Sequence, residues 1–304
     1  MKRRDFLKKG ISVGFIAGTA FTINPYKTFG SARNAGNYDM VAIRGGNPNA
    51  MFDRAMEEYG GMEKIVKKGQ SVVIKPNIGW DAPPERAANT NPDLIARIIK
   101  HCQAAGAKDV YVFDHTCNEW SKCYKNSAIE DAVKKSGGKM VMGNSEKYYH
   151  SVEVPGGKSL KSAKVHELIL ESDVFINVPV LKNHGGANMT VSMKNLMGIV
   201  WDRGYWHRND LHQCIADFAS WRTPDLTIVD AYRVMKRNGP RGVSVDDVVT
   251  MKAQLIGKDM VSLDTAAIKL FGKDPEEVKY MGLAEQAGVG TANLESLNIA
   301  RIKV

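Results

Sequence analysis

The sequence predicts an α/β protein with a mostly parallel sheet that is covered by helices on both faces. Short apolar, β-branched segments alternate with amphipathic helical patterns from residue 40 onward, and this alternation is typical of parallel strands joined by helices. About 270 residues follow the N-terminal leader, which is enough for one large domain or for two lobes. One sheet or two are therefore both compatible with the pattern.

Strands are predicted where apolar runs end in polar residues or proline. Residues 71–75 are β-branched and stop at Pro76 and Asn77, and residues 110–113 stop at Asp114. Such runs fit strands buried on both faces. The other predicted strands are residues 40–43, 140–142, 174–180, 226–229, 250–256 and 298–303.

Helices are predicted between these strands from the apolar spacing. Pro92 begins one whose Leu94, Ile95, Ile98 and Ile99 form a stripe, because residues three and four apart share a helix face. Another helix is predicted after Pro48, with Met51, Ala55, Met56 and Tyr59 on one face. The remaining predicted helices are residues 129–133, 165–170, 190–200, 211–221, 262–271 and 275–287.

Residues 1–36 are predicted to be a twin-arginine signal peptide with a linker, and residues 37–304 the α/β domain. Arg3 and Arg4 stand before Phe6 and Leu7, and the fourteen residues 10–23 carry no charge. A cationic segment followed by an apolar one is the pattern of an export signal. Fourteen residues are too few to span a bilayer, which takes about 20. We therefore expect a periplasmic protein whose partner during export is the twin-arginine machinery, and which folds before it crosses the membrane.

The charge distribution argues against a nucleic-acid-binding protein. Residues 1–36 hold seven basic and one acidic side chains, which is six of the nine net positive charges of the whole chain. The domain itself is only slightly basic, and its lysines and arginines are mixed with acids rather than clustered. Nucleic acid is therefore not an expected partner.

The four cysteines, Cys102, Cys117, Cys123 and Cys214, show no metal-binding spacing. No C-x-x-C pair is present, so an iron–sulfur cluster is not expected on this chain. Cys117 and Cys123 could form a disulfide in an oxidising compartment, and free thiols are the favoured alternative.

Polar residues follow several predicted strands, and we expect them to form the site. Lys75 and Asn77 follow one strand, Asp114 the next, and Asp230 a later one. In open parallel sheets, ligands bind beyond the carboxyl ends of the strands. The sequence therefore places the chemistry at this edge of the sheet.

The strongest local signal surrounds Lys182. Lys182 and His184 precede two glycines, and a helix predicted to begin near Thr190 would direct free N–H groups toward them. Lys194 lies one turn inside that helix. Positive groups gathered in this way indicate a small carboxylate or phosphate ligand. The expected ligand-binding residues are Lys75, Asn77, Gly185, Gly186, Thr190, Lys194, Asn195 and Arg241.

The expected catalytic residues are His184 as acid or base, Lys182 as a holder of transition-state charge, and His207 as a helper. His207 lies in the aromatic-rich residues 201–212, which are predicted to form a wall or flap over the site. No metal-ligand set is assigned. A divalent metal held by His184, His207 and an acid such as Asp114 or Asp230 stays open as a cofactor.

Five segments resemble the family called domain of unknown function 362. They are VIKPN at residues 73–77, DVFINVPVLKNH at 173–184, MKNLMG at 193–198, PDLTIVD at 224–230 and NGPRG at 238–242. The resemblance runs from about residue 40 to about residue 285 and implies an α/β domain. Some members carry an appended ferredoxin-like iron–sulfur module, and no C-x-x-C cluster for one appears here. A looser resemblance of architecture links the chain to nickel-dependent lactate racemases, which are two-lobed α/β proteins.

Two functional hypotheses follow. The first is an exported enzyme acting on a small acid by racemisation, by proton abstraction beside a carboxylate or by metal-assisted transfer. The second is a periplasmic protein that binds a metal or an acidic cofactor and delivers it to a redox partner without catalysis. A scaffold protein with no small ligand is a third reading.

Overall fold

The computed structural model describes residues 37–304, so the predicted signal peptide at residues 1–36 lies outside the described residues. A mixed, mostly parallel sheet of ten strands runs through this part of the chain in the order β12-β1-β11-β10-β7-β2-β3-β4, with β8 beside β10 and β9 beside β8. These strands are β1 Met40–Arg44, β2 Ser71–Pro76, β3 Asp109–Val112, β4 Lys139–Met140, β7 Val174–Val178, β8 Val180–His184, β9 Asn188–Thr190, β10 Leu226–Met235, β11 Val248–Gly257 and β12 Ile299–Lys303. A separate hairpin is formed by β5 Tyr149–Glu153 and β6 Ser162–His166.

Helices cover both faces of the sheet. They are α1 Pro48–Tyr59, α2 Pro92–Ala104, α3 Trp120–Asn126, α4 Ile129–Lys135, α5 Glu167–Glu171, α6 Ser192–Asn195, α7 Arg203–Arg208, α8 Leu211–Trp221, α9 Met260–Phe271 and α10 Lys279–Gln286. In β2, Val72 and Ile74 belong to the hydrophobic cluster that contains residues of α1 and α2, whereas Val73 belongs to the cluster that contains residues of α8, α9 and α10. Successive strand residues point to opposite faces, so a continuous apolar run is buried on both sides.

The predicted fold class is confirmed. The described residues belong to one compact unit, rather than the two lobes that were the alternative. In residues 37–304 no helix is long and apolar enough to cross a membrane.

Residues 174–180 form two strands rather than one. Val178 ends β7 and Val180 begins β8, with Pro179 between them. Proline has no N–H to donate to a ladder. Before it, β7 lies between β2 and β10; after it, β8 also pairs with β10 but pairs with β9 instead of β2.

The helices predicted at 165–170 and 190–200 are wrong as single elements. Residues 162–166 pair with β5, and His166 then caps a short helix by accepting a hydrogen bond at Nδ1 from Leu168 N at 3.2 Å. Thr190 belongs to β9, which pairs with β8. In both cases pairing with another strand overrides the helical spacing. The partner is β5 for residues 162–166, and for Thr190 it is β8, which precedes β9 across a turn.

The predicted helix at 275–287 is also divided. A 3₁₀ turn at Pro275–Glu277 precedes α10, and Asp274 caps that turn in a capping box with Glu277.

Asp264 fixes the start of α6. Its carboxylate accepts hydrogen bonds from Ser192 N at 2.8 Å and from Met193 N at 3.1 Å. The expectation that free N–H groups of a helix near Thr190 face a ligand is therefore wrong, because an internal carboxylate already takes them. Burial raises the pKa of Asp264 to about 7, and hydrogen bonds from Ser192 and Met193 oppose the rise.

This raised pKa predicts how stability changes with pH. The folded state holds a proton on Asp264 that the unfolded state has lost between the ordinary pKa of 3.8 and about 7, so this group makes the protein less stable as pH rises through that interval. One such proton contributes a slope of at most about 1.4 kcal/mol per pH unit. Urea unfolding of Asp264→Asn from pH 4 to 7 is expected to lack this contribution. Parallel pH curves for the two proteins would show that burial of Asp264 does not control its ionisation.

Candidate functional site

A small cavity lies at the carboxyl ends of β2 and β8 and beside the residue that follows β3. Its volume is about 60 Å³. A water needs roughly 10–15 Å³ on this measure, so the cavity holds a few waters or a small polyatomic ion. Four cationic side chains line it, and we call it the lysine cavity: Lys75, Lys182, Lys194 and Arg203.

Lys75 is held by an internal network. It is 1% exposed, and its Nζ lies 3.0 Å from Asp114 Oδ1 and 2.9 Å from Asn195 Oδ1. Asn195 Nδ2 donates to Asn177 Oδ1 at 2.9 Å. Because every hydrogen bond of this network is buried, Lys75 and Asn195 are locked in orientation rather than free to follow a ligand.

Lys182 is joined to the same network through Asn77. Lys182 Nζ donates to Asn77 Oδ1 at 3.2 Å and also to the carbonyl oxygen of Ala88. Asn77 Nδ2 donates to Asn195 Oδ1 at 3.0 Å. Two of the three ammonium hydrogens of Lys182 have protein acceptors, which leaves one for a ligand.

The β8–β9 hairpin places Thr190 beside Lys182. The two residues are partners in the antiparallel register, and both line the cavity. Thr190 is 3% exposed, and its Oγ1 has no hydrogen-bond partner within residues 37–304. A buried hydroxyl left unpaired costs about 1–3 kcal/mol, so this atom points to a missing partner in the cavity.

The cavity has more positive than negative charge. In the described part of the chain, the carboxylate of Asp114 is the acid that lines it, and no ion pair involves Lys182 or Lys194. Burial is the largest cause that lowers the pKa of Lys182 from 10.5 to about 7 and that of Lys194 to about 8. Desolvation without a counter-charge disfavours an ammonium. Both amines therefore change protonation state near neutral pH.

Lys75 and Asp114 form a buried pair of opposite charge. Burial raises the pKa of Asp114 and lowers that of Lys75, and the charge of each partner opposes the shift of the other. Asp114 Oδ2 also accepts a hydrogen bond from Ile78 N at 2.6 Å. Removing either partner would leave a buried charge uncompensated.

Gly198 is required for this pair to fit. A Cβ at residue 198 would lie 1.9 Å from Asp114 Oδ1 and 2.6 Å from Lys75 Nζ. Any side chain here would overlap both partners, and neither has space to move because both are buried.

His184 is oriented by its own turn. Its Nδ1 accepts hydrogen bonds from Gly186 N at 3.1 Å and Ala187 N at 3.0 Å. Burial, with the charges of Lys194 and Lys182, lowers the pKa of His184 to about 2. The neutral ring must then carry its proton on Nε2, so His184 is a hydrogen-bond donor to anything that reaches that nitrogen.

Cys117 lies at the mouth of the cavity beside Arg203. The thiol is exposed, and its Sγ accepts a hydrogen bond from Arg203 Nη1 at 3.4 Å. The same guanidinium donates to His115 O at 2.8 Å and to Thr116 O at 2.6 Å. Arg203 thereby holds the loop after β3 and the thiol in one position.

The structure brings seven of the predicted residues together. They line the cavity: Lys75, Asn77, Lys182, His184, Thr190, Lys194 and Asn195. Their functional roles stay predictions.

Four predicted residues do not line the cavity. The amides of Gly185 and Gly186 are taken by Gly239 O and His184 Nδ1, so both amides are already bonded within the protein. Arg241 is exposed, and its neighbour Pro240 lines the cavity instead.

His207 is also exposed on α7 and is not a lining residue. The predicted aromatic wall is a packing feature: Trp206 is buried against Phe218, and Trp201 stacks on His115 at 4.8 Å. The cavity residue that this stretch supplies is Arg203.

Sequence reasoning missed Arg203 and Cys117. Arg203 stood within the aromatic stretch and carried no signal apart from its charge. Cys117 follows β3 closely, as Asp114 does, and strand-end position was the signal that would have found it. All four cysteines are free in the structure, so Cys117 and Cys123 form no disulfide.

In the described residues, no group of three or more histidine, cysteine, aspartate or glutamate side chains is placed to hold a metal ion. Asp230, one candidate ligand, accepts hydrogen bonds from Asn91 N and Tyr232 N.

Comparison with protein families gives one match over this region. The family described as a domain of unknown function, DUF362, matches residues 72–269, which is more than half of the chain and contains every cationic residue of the lysine cavity. The chain belongs to the DUF362 family.

This DUF362 protein has relatives of modest similarity. It is 25% identical over 248 residues to the thylakoid-associated protein sll1697 of Synechocystis sp. (strain ATCC 27184 / PCC 6803 / Kazusa), covering 79% of this chain and 75% of that protein. Among solved structures, it is similar to the lactate racemase apoprotein from Thermoanaerobacterium thermosaccharolyticum, with a TM-score of 0.46 and 15% identity over 70% of this chain and 53% of that one.

A protein from Thermotoga maritima gives a TM-score of 0.45 and 10% identity, over 79% of this chain and 58% of that one. The DUF362 protein therefore spans less than two thirds of the length of both solved structures.

The fit of Gly198 predicts a sharp difference between two glycine variants. Gly198→Ala is expected to destabilise the fold by about 2 kcal/mol or more, because it forces apart a buried ion pair. Gly282→Ala is the matched control, since a Cβ at this position in α10 meets nothing within 4 Å and alanine favours a helix. Thermal unfolding checks both. Equal melting temperatures for the two variants would contradict the packing around Lys75 and Asp114.

Proposed function

We propose that this protein is exported and binds a small carboxylate or phosphate in the lysine cavity, and that it carries out acid/base chemistry on that ligand. The observation that carries the proposal is the excess of buried positive charge around an unpaired hydroxyl. Lys182 and Lys194 have no ion pair in residues 37–304, and Thr190 Oγ1 has no hydrogen-bond partner there.

The lowered pKa of Lys182 gives the size of this charge effect. The change in the pKa of Lys182 from 10.5 to about 7 corresponds to roughly 5 kcal/mol of lost preference for the charged amine. An anion in the cavity would reverse part of this loss by pairing with the ammonium groups. Binding energy for an anion is thus available from groups that are already buried and positioned.

The donors suit an anion with several oxygens. Lys182 has one free hydrogen, Lys194 is unpaired in the described residues, and His184 donates from Nε2. Thr190 Oγ1 adds a hydroxyl donor. A carboxylate offers about four lone-pair sites and accepts only, and a phosphate group has similar requirements, so both match a set made of donors.

Proton transfer is assigned to the lysines and not to an imidazolium. His184 is neutral at physiological pH because burial lowers its pKa to about 2. The pKa of Lys182 is about 7 and that of Lys194 about 8, which is the range in which a group can both accept and return a proton. His184 and His207 keep supporting roles in this proposal.

Substitution of one lysine is expected to weaken anion binding. Lys194→Met removes a buried charge, and the affinity for phosphate or oxalate is expected to fall about 10- to 100-fold, the range of a charge-assisted hydrogen bond. Lys134→Met removes the same charge from the exposed face of α4 and is expected to leave affinity unchanged. Isothermal titration calorimetry measures both.

Anion binding is expected to weaken as the pH rises. Free Lys182 and Lys194 lose their protons as pH rises through about 7 and 8, so anion affinity should fall over that range and binding should take up protons. No anion binding at pH 6 would overturn the proposal, as would equal losses in the two methionine variants.

Catalysis is tested separately from binding. In D₂O, acid/base chemistry is expected to exchange the proton on the carbon next to the carboxylate of a bound acid for deuterium. Binding without any exchange or turnover is the behaviour of a carrier.

Export is tested separately through the arginine pair. Arg3→Lys together with Arg4→Lys is expected to leave the full chain in the cytoplasm, because a twin-arginine signal is read by its receptor as a pair. Arg33→Lys is the control, since it makes the same change outside the pair. Cell fractionation followed by immunoblotting checks the outcome. Normal export of the paired variant would show that the leader uses another route.

A further inference from the structure

We propose that Cys117 is the nucleophile of this site and adds to the carbonyl carbon of a small 2-oxo acid whose carboxylate lies in the lysine cavity. This inference rests on the proposed function, because it needs the anion in place. It assigns a residue that the sequence pattern did not single out.

The thiol of Cys117 lies in the same cavity as the lysine amines. Cys117 lines the cavity together with Lys182 and Lys194. Burial lowers the pKa of both lysines, and Cys117 is the neighbouring group whose charge most opposes that fall. Sulfur and amines therefore share one small space, rather than lying on separate surfaces.

The thiol of Cys117 is held in position and is also accessible. Cys117 N donates to Gly79 O at 2.7 Å, and Arg203 donates to Sγ at 3.4 Å. The side chain is exposed, whereas Cys102, Cys123 and Cys214 are buried. An exposed sulfur beside fixed cationic groups is the environment in which cysteines act as nucleophiles.

Unpaired polar groups of Thr190 and Lys182 are an independent sign of a ligand. Thr190 is 3% exposed and lines the same cavity, and its Oγ1 lacks a partner in the described residues. Lys182 is 1% exposed and keeps one hydrogen free. These groups are built to hold something between themselves and the thiol.

The size of the cavity selects the substrate class. About 60 Å³ accommodates one anionic group, so a carbon that reaches Cys117 must be close to that group. In a 2-oxo acid the electrophilic carbonyl carbon is bonded directly to the carboxylate. Glyoxylate is the smallest such acid and the least hindered probe.

The addition is balanced without a further reactant. One lysine of the cavity, as the ammonium, pairs with the substrate carboxylate. The other lysine, as the neutral amine, takes the thiol proton, and the sulfur electron pair forms the S–C bond. The carbonyl π pair moves to oxygen, and the resulting alkoxide takes a proton back from the lysine ammonium. The product is a thiohemiacetal or thiohemiketal, and nothing is oxidised or reduced. The amine suits both transfers because the pKa of Lys182 is about 7 and that of Lys194 about 8.

A matched pair of alkylating reagents tests the inference on the full chain. Iodoacetate carries a carboxylate and iodoacetamide is neutral. Peptide mass spectrometry is expected to locate fast alkylation at Cys117, with iodoacetate favoured about tenfold relative to its preference for glutathione, because the cationic cavity concentrates the anion. Phosphate should protect. Lys194→Met should reduce the preference, Lys134→Met should keep it, and Cys117→Ser should abolish the modification.

The adduct itself is read by ¹³C NMR. Labelled glyoxylate is expected to give a protein-bound sp³ carbon signal that is absent in Cys117→Ser. If calorimetry shows phosphate binding but Cys117 neither reacts nor gives the signal, the nucleophile is overturned and the anion site stands. If Cys117 reacts equally with both reagents and phosphate neither binds nor protects, the anion site fails and this substrate class fails with it. Borohydride trapping of glyoxylate on a lysine would assign the attack to an amine and overturn the role of Cys117.

Discussion

The burial of positive charge at the carboxyl edge of the sheet is the constraint on which this structure depends. Lys75 is fully enclosed and is tolerated because Asp114 and Asn195 meet its ammonium group at 3.0 and 2.9 Å. A buried pair of this kind adds little net stability, yet breaking it is costly. The surroundings follow from this requirement: Gly198 has no side chain because the pair occupies that space, and Asn195 is aligned by Asn177 on β7.

Lys182 and Lys194 are a different case, because in the described residues no carboxylate forms an ion pair with either of them. A protein stabilises a buried ammonium by pairing it or by letting it lose its proton. Here the pKa values of about 7 and 8 show that the amines lie between those two outcomes. Such groups respond strongly to an arriving anion, and this is why the proposed chemistry is assigned to the lysines rather than to the histidines.

Much of the architecture could be read from local pattern. The β-branched run of β2 and the apolar stripe of α2 are strong periodic signals, and the strand-end rule brought Lys75, Lys182 and His184 to one edge correctly. The failures came from strand pairing: β6 pairs with β5 and β9 pairs with β8, and the helical spacing within one segment does not show such a partner. Asp264 shows the same limit, since it caps α6 from 72 residues away, and no local feature predicts that pairing.

The sequence alone determined the fold class, the order of most elements and the residue types at the ends of the strands, because these depend on periodicity and on the direction of parallel strands. The tertiary structure decided which polar residues have partners and which do not. Gly185 and Gly186 were expected to bind a ligand, but Gly239 O and His184 Nδ1 take their amides. Arg203, the first residue of α7, and Cys117, in the loop after β3, line the cavity instead. Hydrogen-bond satisfaction and desolvation are properties of three-dimensional packing, so only the folded chain shows where charge is left uncompensated.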